Sequence, residues 1–265
     1  MKKCPFILLF FLSVFVLSYT SKSQIEIFSL KEENQEPIVN LKELQTDFGK
    51  WWTYYSHNIS LSSDFVGLNE QSDTIAKRQF LEKLIASNYI PLKLKSKARF
   101  DTYQLFQLDS SANPGIRSTI QNESRTSLDH FEMEGSAFPK FDFTDLNGNH
   151  YTNENTAGKT VILKTWFIGC TACIAEFPAL NDLVNKYKKR EDIIFLSLAD
   201  DPPSRLESFL KKRRFDYKVV ADQKDFIKND LELTIYPTHI IVDDKGVILK
   251  VVNHASEMIA FLEGE

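Results

Sequence analysis

Trp166-Phe167-Ile168-Gly169-Cys170-Thr171-Ala172-Cys173-Ile174-Ala175-Glu176-Phe177-Pro178 is the stretch on which the reading of this chain turns. The apolar run Val161-Ile162-Leu163 before it predicts a buried strand. After it, Ile174, Phe177, Leu180, Leu183, Val184 and Tyr187 share one face of a helix predicted over 170–187. Two cysteines with two residues between them therefore stand at a strand-to-helix turn. The first turn of a helix has unpaired backbone N–H groups and the positive end of the macrodipole, and both favour a thiolate. The pKa of thiols so placed in C-x-x-C motifs falls from about 8.5 to roughly 3.5–7.5. Cys170 is the expected nucleophile and Cys173, one turn further in, the expected resolving sulfur. Two plainer readings stand beside this one. A structural zinc needs four ligands, and neither Cys4, the only other cysteine, nor any histidine pair offers them at ligand spacing. A purely structural disulfide across so short a loop removes little chain entropy.

On the N-terminal side of the motif, Phe138-Pro139-Lys140-Phe141-Asp142-Phe143-Thr144-Asp145-Leu146-Asn147-Gly148 reads as an opening strand and an Asp-x-x-Gly turn. On its other side, Pro178 stands five residues after Cys173, Ile235-Tyr236-Pro237-Thr238 follows a predicted helix over 225–231, and Asp243-Asp244-Lys245-Gly246 makes a hairpin turn. These separated motifs, in this order, resemble the TlpA/ResA-like thiol–disulfide reductase family with its thioredoxin-like fold. The resemblance covers residues from about 138 to the end and leaves the preceding region unrecognised. It implies an α/β domain with a central mixed sheet flanked by helices. It also implies a redox disulfide between Cys170 and Cys173, a cis peptide bond before Pro237, and a client peptide paired along Tyr236. Trp166 matches a family tryptophan beside the site. Glu176 matches an acidic residue after the motif and is a candidate for shuttling the Cys173 proton. His239, close to Pro237, is read as structural or at most a modulator.

Two positions depart from the pattern. Gly169 stands where many relatives carry an aromatic residue, so Cys170 is expected to be less covered. Lys164 stands where thioredoxins place a buried acid. A buried lysine is costly unless it is paired or neutral. Lys164 is therefore expected either to pair with Glu176 or to titrate low and help deprotonate Cys173, against the plain reading that it reaches solvent. The Thr171-Ala172 dipeptide has neither the proline nor the histidine of well-studied relatives, so neither the reduction potential nor the preferred direction is read from it.

Composition is that of an ordinary soluble protein. Hydrophobic residues are 43% and charged residues 26% of the 265-residue chain, with a net charge of -4. Residues 1–23 read as a secretory signal peptide: Lys2 and Lys3, an apolar run from Pro5 to Val16, then small residues before Gln24. An uncleaved membrane anchor is the alternative, although the apolar run is short for a span of about 20 residues. Cys4 precedes that run and is not placed as a lipid anchor. Without Lys2, Lys3 and Lys22 the chain keeps 29 basic and 36 acidic residues, a balance of -7, and no basic stripe suggests nucleic acid.

Residues 24–133 read as a separate, mainly helical region. A helix is expected from Leu41 through Tyr55, a second capped by Ser72-Asp73-Thr74, short strands at 91–94 and 103–108, and a third helix over 115–131. The redox domain is expected over 134–265. The best reading is a periplasmic or otherwise exported protein-disulfide reductase with no cofactor and no metal. Its partners would be disulfide-containing client proteins and an upstream electron donor. A peroxiredoxin-type peroxidase is the alternative, yet Leu163 and Phe167 occupy the proline and threonine positions of that pattern. A non-catalytic partner-binding module with an idle C-x-x-C is the third.

Overall fold

The computed structural model describes residues 37–264 apart from 87, 97 and 98. The expected signal segment and Cys4 lie outside the described residues. Among the described residues, no helix is long and apolar enough to cross a membrane.

The N-terminal part opens with α1 (Leu41–Leu44) and α2 (Phe48–Asn58). The periodicity from Leu41 to Tyr55 predicts one helix. It is interrupted because the Asp47 carboxylate accepts from Lys50 N at 3.0 Å and starts a new one. One face of α2 buries Trp51, Tyr54 and Tyr55, while Phe48 and Trp52 are exposed. β1 (Phe65–Leu68) and β2 (Thr74–Ile75) follow, then α3 (Lys77–Ile85), β3 (Tyr89–Lys93) and β4 (Asp101–Gln107). The expected cap at 72–74 is corrected: Ser72 takes a left-handed φ of 65° in a turn where Asn69 Oδ1 accepts from Gln71 N and Asp73 N. Thr74 is then extended, and α3 begins after Ala76 without a side-chain cap. These strands form a sheet of order β2-β1-β4-β3, with β1 and β4 parallel. β3 lies at its edge and so tolerates Pro91. α4 (Pro114–Met133), capped by Asn113 and opened by Pro114, closes this part over a core of Trp51, Phe80, Leu84, Ile90, Leu105 and Ile116.

The C-terminal part carries β5 (Asp142–Thr144), β6 (His150–Thr152), α5 (Asn153–Thr156) and β7 (Thr160–Trp166). After the cysteine motif come α6 (Thr171–Ala175), α7 (Phe177–Tyr187), β8 (Ile193–Ala199), α8 (Pro203–Leu210) and β9 (Lys218–Val220). A π-helical turn (Phe226–Asp230), β10 (Thr238–Val242), β11 (Ile248–Val252) and α9 (Ala255–Glu263) complete it. The helix expected over 170–187 is two helices. Pro178 has no N–H to return to the turn before it, so the break falls at Glu176, between α6 and α7. The main sheet has the order β11-β10-β7-β8-β9. β7, β8 and β9 are parallel, and β10 is antiparallel to both neighbours. This is the mixed sheet of a thioredoxin-like fold. β7, buried at every residue after Thr160, lies at its centre and delivers the motif to the sheet's carboxyl edge.

Candidate active site

β7 ends at Trp166, and the chain turns through Phe167–Gly169 into α6. Asp201, in the loop after β8, accepts from Ile168 N at 2.7 Å and holds this turn. Cys170 is the N-cap of α6, and its Sγ accepts from Cys173 N at 3.1 Å. The two sulfurs form a disulfide across this first turn. Cys170 keeps 8% of its surface exposed and Cys173 none. An incoming thiolate can therefore reach only the first sulfur, and the backbone N–H at that sulfur is placed to favour its thiolate once the bond is cleaved.

Tyr236 and Pro237, joined by a cis peptide bond, precede β10. Pro237 is buried and Tyr236 partly exposed. The Tyr236 ring stands edge-on to Phe167, centroids 5.4 Å apart at 90°, and its hydroxyl donates to Asp200 Oδ1 at 2.9 Å. Burial and the hydrogen bond to Asp200 both push the Tyr236 phenol up. Burial also raises the Asp200 carboxyl, against the opposing hydrogen bond from Tyr236. The space that Gly169 leaves is taken by Phe167, whose ring would lie 3.1 Å from a Cβ at 169. Trp166, matched above to a family tryptophan beside the site, packs in the core beneath it. Its side chain is fully buried, enclosed by Phe177, Phe209 and Phe215. Its strand position points it under the motif helix, so it supports the site from beneath.

Lys164 lies on the same face of β7 as Trp166, because side chains alternate along a strand. It is fully buried, and its Nζ pairs with Glu176 Oε2. Across the β7–β10 ladder its register partner is His239, also fully buried, whose Nε2 lies 3.0 Å from the same Glu176 oxygen. The other oxygen, Oε1, accepts from Ala255 N at 2.8 Å, at the start of α9. Burial pushes the Glu176 carboxyl up, but the His239 hydrogen bond and the Lys164 charge outweigh it and hold it at about 2. Burial pushes Lys164 and His239 down. Burial thus works against charge on Lys164 and His239, while the contacts of both hold the Glu176 carboxyl ionised. Glu176 follows Cys173 by three residues, a spacing that puts the two on one side of a helical turn.

The structure thus groups Cys170, Cys173, Tyr236 and Pro237 at the sheet edge, and Lys164 and Glu176 in a buried cluster one turn deeper. Sequence reasoning gave His239 no definite role and missed Asp200, Asp201 and the Ala255 amide. His239 was accessible in principle: an antiparallel pairing of the strand after Pro237 with the strand before the motif brings it opposite Lys164. The backbone amide leaves no sequence signal. Among the described residues, no cluster of three or more His, Cys, Asp or Glu side chains is arranged to hold a metal.

Residues 133–260 match the Redoxin family. The thiol–disulfide oxidoreductase ResA of Geobacillus kaustophilus is 29% identical over 118 residues, 44% of this chain and 68% of that protein. The thioredoxin-like protein YneN of Bacillus subtilis is 28% identical over 118 residues, 44% of this chain and 69% of that protein. Among solved structures, the thioredoxin domain of a thiol–disulfide oxidoreductase from Bacteroides vulgatus aligns with 49% of this chain and 96% of its own, at 26% identity and a TM-score of 0.44. The C-terminal part of the chain thus has a thioredoxin-like fold and is similar in sequence to the Redoxin family and to the ResA-type thiol–disulfide oxidoreductases.

Proposed function

We propose that the protein is an exported thiol–disulfide oxidoreductase that reduces disulfides in client proteins through Cys170 and Cys173. The observation that carries this reading is the asymmetry of the two sulfurs: one partly exposed at a helix N-cap, the other fully buried one turn on. In the reduced enzyme the Cys170 thiolate attacks one sulfur of a client disulfide. The S–S bond breaks, the other client sulfur leaves as a thiolate, and a mixed disulfide forms. Cys173 then loses its proton and attacks Cys170 Sγ, which releases the second client thiolate. Two electrons pass to the client, and the enzyme is left with the Cys170–Cys173 disulfide for an upstream dithiol donor to reduce.

In this reading Tyr236 and Pro237 line the client site, with the client backbone running beside Tyr236. The buried group of Glu176, Lys164 and His239 receives the Cys173 proton as a unit. Glu176 alone, held at about 2, is too weak a base to keep it. Residues 134–265 would be the redox unit, residues 24–133 an accessory region, and residues 1–23 the export signal. Expression of the full chain with Cys173→Ser tests the proposal. Mixed disulfides should accumulate on Cys170, and their absence in an oxidising compartment would count against it.

A further inference from the structure

The accessory region meets the redox domain along α4, which packs on β11, and through a well-built loop. Residues 60–64, the loop after α2, are fixed from their own side. Ser60 N donates to the buried Tyr103 hydroxyl at 3.0 Å, and Lys77 Nζ donates to Ser62 O at 3.0 Å and Ser63 O at 2.8 Å. Asp64 also pairs with Lys250 of β11 at 2.6 Å. The loop therefore presents two hydroxyls in fixed positions, and both go to one carboxylate. Ser62 Oγ donates to Glu257 Oε2 at 2.8 Å, and Ser60 Oγ donates to Oε1.

Glu257 is the third residue of α9. Its Oε2 also accepts from Asn253 N at 3.3 Å and His254 N at 3.2 Å. The next amide along, Ala255 N, is the one that Glu176 caps. Two carboxylates thus share three successive backbone amides, 253 to 255. Glu257 is gripped from the accessory region and Glu176 belongs to the redox motif. An isolated helix start would leave these amides to water or to a single cap.

We propose that Ser60 and Ser62 are positioning residues for the redox site, acting through Glu257 and the 253–255 backbone to hold Glu176 between Lys164 and His239. In this way the accessory region fixes the carboxylate that the redox motif leans on. The groups facing Glu176 are Lys164, His239 and the buried Tyr217 phenol. Those facing Glu257 are Lys77, His130, Tyr55 and Tyr103, and His239 senses the charge of both carboxylates. Loss of the two serine donors leaves Glu257 free to turn toward Lys77, which lets the α9 start drift from Glu176.

The inference rests on the proposed proton role of the cluster only for its catalytic consequence, so two readouts on the full chain are paired. The first is hydrogen exchange of the Ala255 amide. Ser60→Ala/Ser62→Ala should speed it by roughly fivefold, the order expected for one weakened hydrogen bond. Ser60→Thr, which keeps its hydroxyl, should leave it unchanged. The second is the pH profile of client-disulfide reduction, which the double variant should displace in the same direction as Glu176→Gln and by less. Should the double variant not fold, Ser60→Ala alone gives both readouts. Unchanged Ala255 exchange in a folded variant overturns the proposal. A Glu176→Gln profile identical to that of the unmodified protein overturns the proton role instead, while Ala255 exchange still decides whether the serines hold Glu176.

Discussion

Replacing Lys164 with Met leaves the strand an apolar side chain of similar length on the Trp166 face and removes the charge that faces Glu176. Removing one partner of a buried ion pair costs about 3–5 kcal/mol. Glu176 is 15% exposed and keeps its bonds from His239 at 3.0 Å and Ala255 at 2.8 Å, so about 2–3 kcal/mol is expected here at pH 7. The pH dependence isolates the cause. Glu176 falls from 4.5 to about 2 on folding, so its contribution is complete above pH 4.5 and is lost as pH falls toward 2. At pH 3 the unfolded chain already binds most of that proton. At about 1.4 kcal/mol per pH unit, the unmodified protein has then lost about 2 kcal/mol of this contribution. In Lys164→Met the carboxyl returns toward its ordinary range and has little to lose. Urea denaturation of the oxidised proteins should therefore show a gap of about 2–3 kcal/mol at pH 7 that nearly closes at pH 3. Other carboxylates titrate alike in both proteins and cancel. A gap of equal size at the two pH values, or none at pH 7, would rule out the ion pair as its source.

Three further outcomes follow from the same geometry. Asp201→Ala strips the acceptor from Ile168 N and should lower the stability of the folded chain by about 1–3 kcal/mol, read from its urea midpoint. Tyr236→Phe removes the donor to Asp200, whose carboxyl burial already raises. The loss, about 1 kcal/mol at pH 7, should shrink as pH falls through the raised Asp200 value and the carboxyl takes up a proton. Gly169→Ala forces the Phe167 ring aside and loosens its contact with Tyr236. It should raise KM for a peptide disulfide severalfold with kcat little changed, and an equal fall in kcat would point to a disturbed sulfur instead.

The parts of this molecule written in local chemistry were legible from the chain. The apolar run of β7, the one-sided periodicity of α7 and the Asp-x-x-Gly and Asp-Asp-Lys-Gly turns each carry their own signal, and the C-x-x-C placed the site. The break at Glu176 was also written locally, in Pro178, yet periodicity runs straight through it because the apolar face is continuous across α6 and α7. In the accessory region β1 escaped notice: Phe65-Val66-Gly67-Leu68 is short, and Gly67 is there because the Phe80 ring packs against it, with an added Cβ only 2.8 Å from the ring. The cap expected at 72–74 failed because Asn69 folds residues 69–73 into a turn that leads Thr74 into an extended strand. The buried cluster was half legible. Lys164 stood out as a charge in an apolar strand, but the groups that complete it come from residues 239 and 255, and only strand register brings them near.

The proposed chemistry requires Cys170 to be a primed nucleophile and Cys173 a shielded one, and alkylation of the reduced full chain separates the two. With limiting iodoacetamide, peptide mapping should place the label on Cys170 first. The rate should reach half its maximum at a pH well below 8.5, the ordinary thiol value, as a sulfur at a helix N-cap requires. Equal labelling of the two cysteines, or a midpoint at or above that ordinary value, would mean that neither sulfur is primed as the geometry demands.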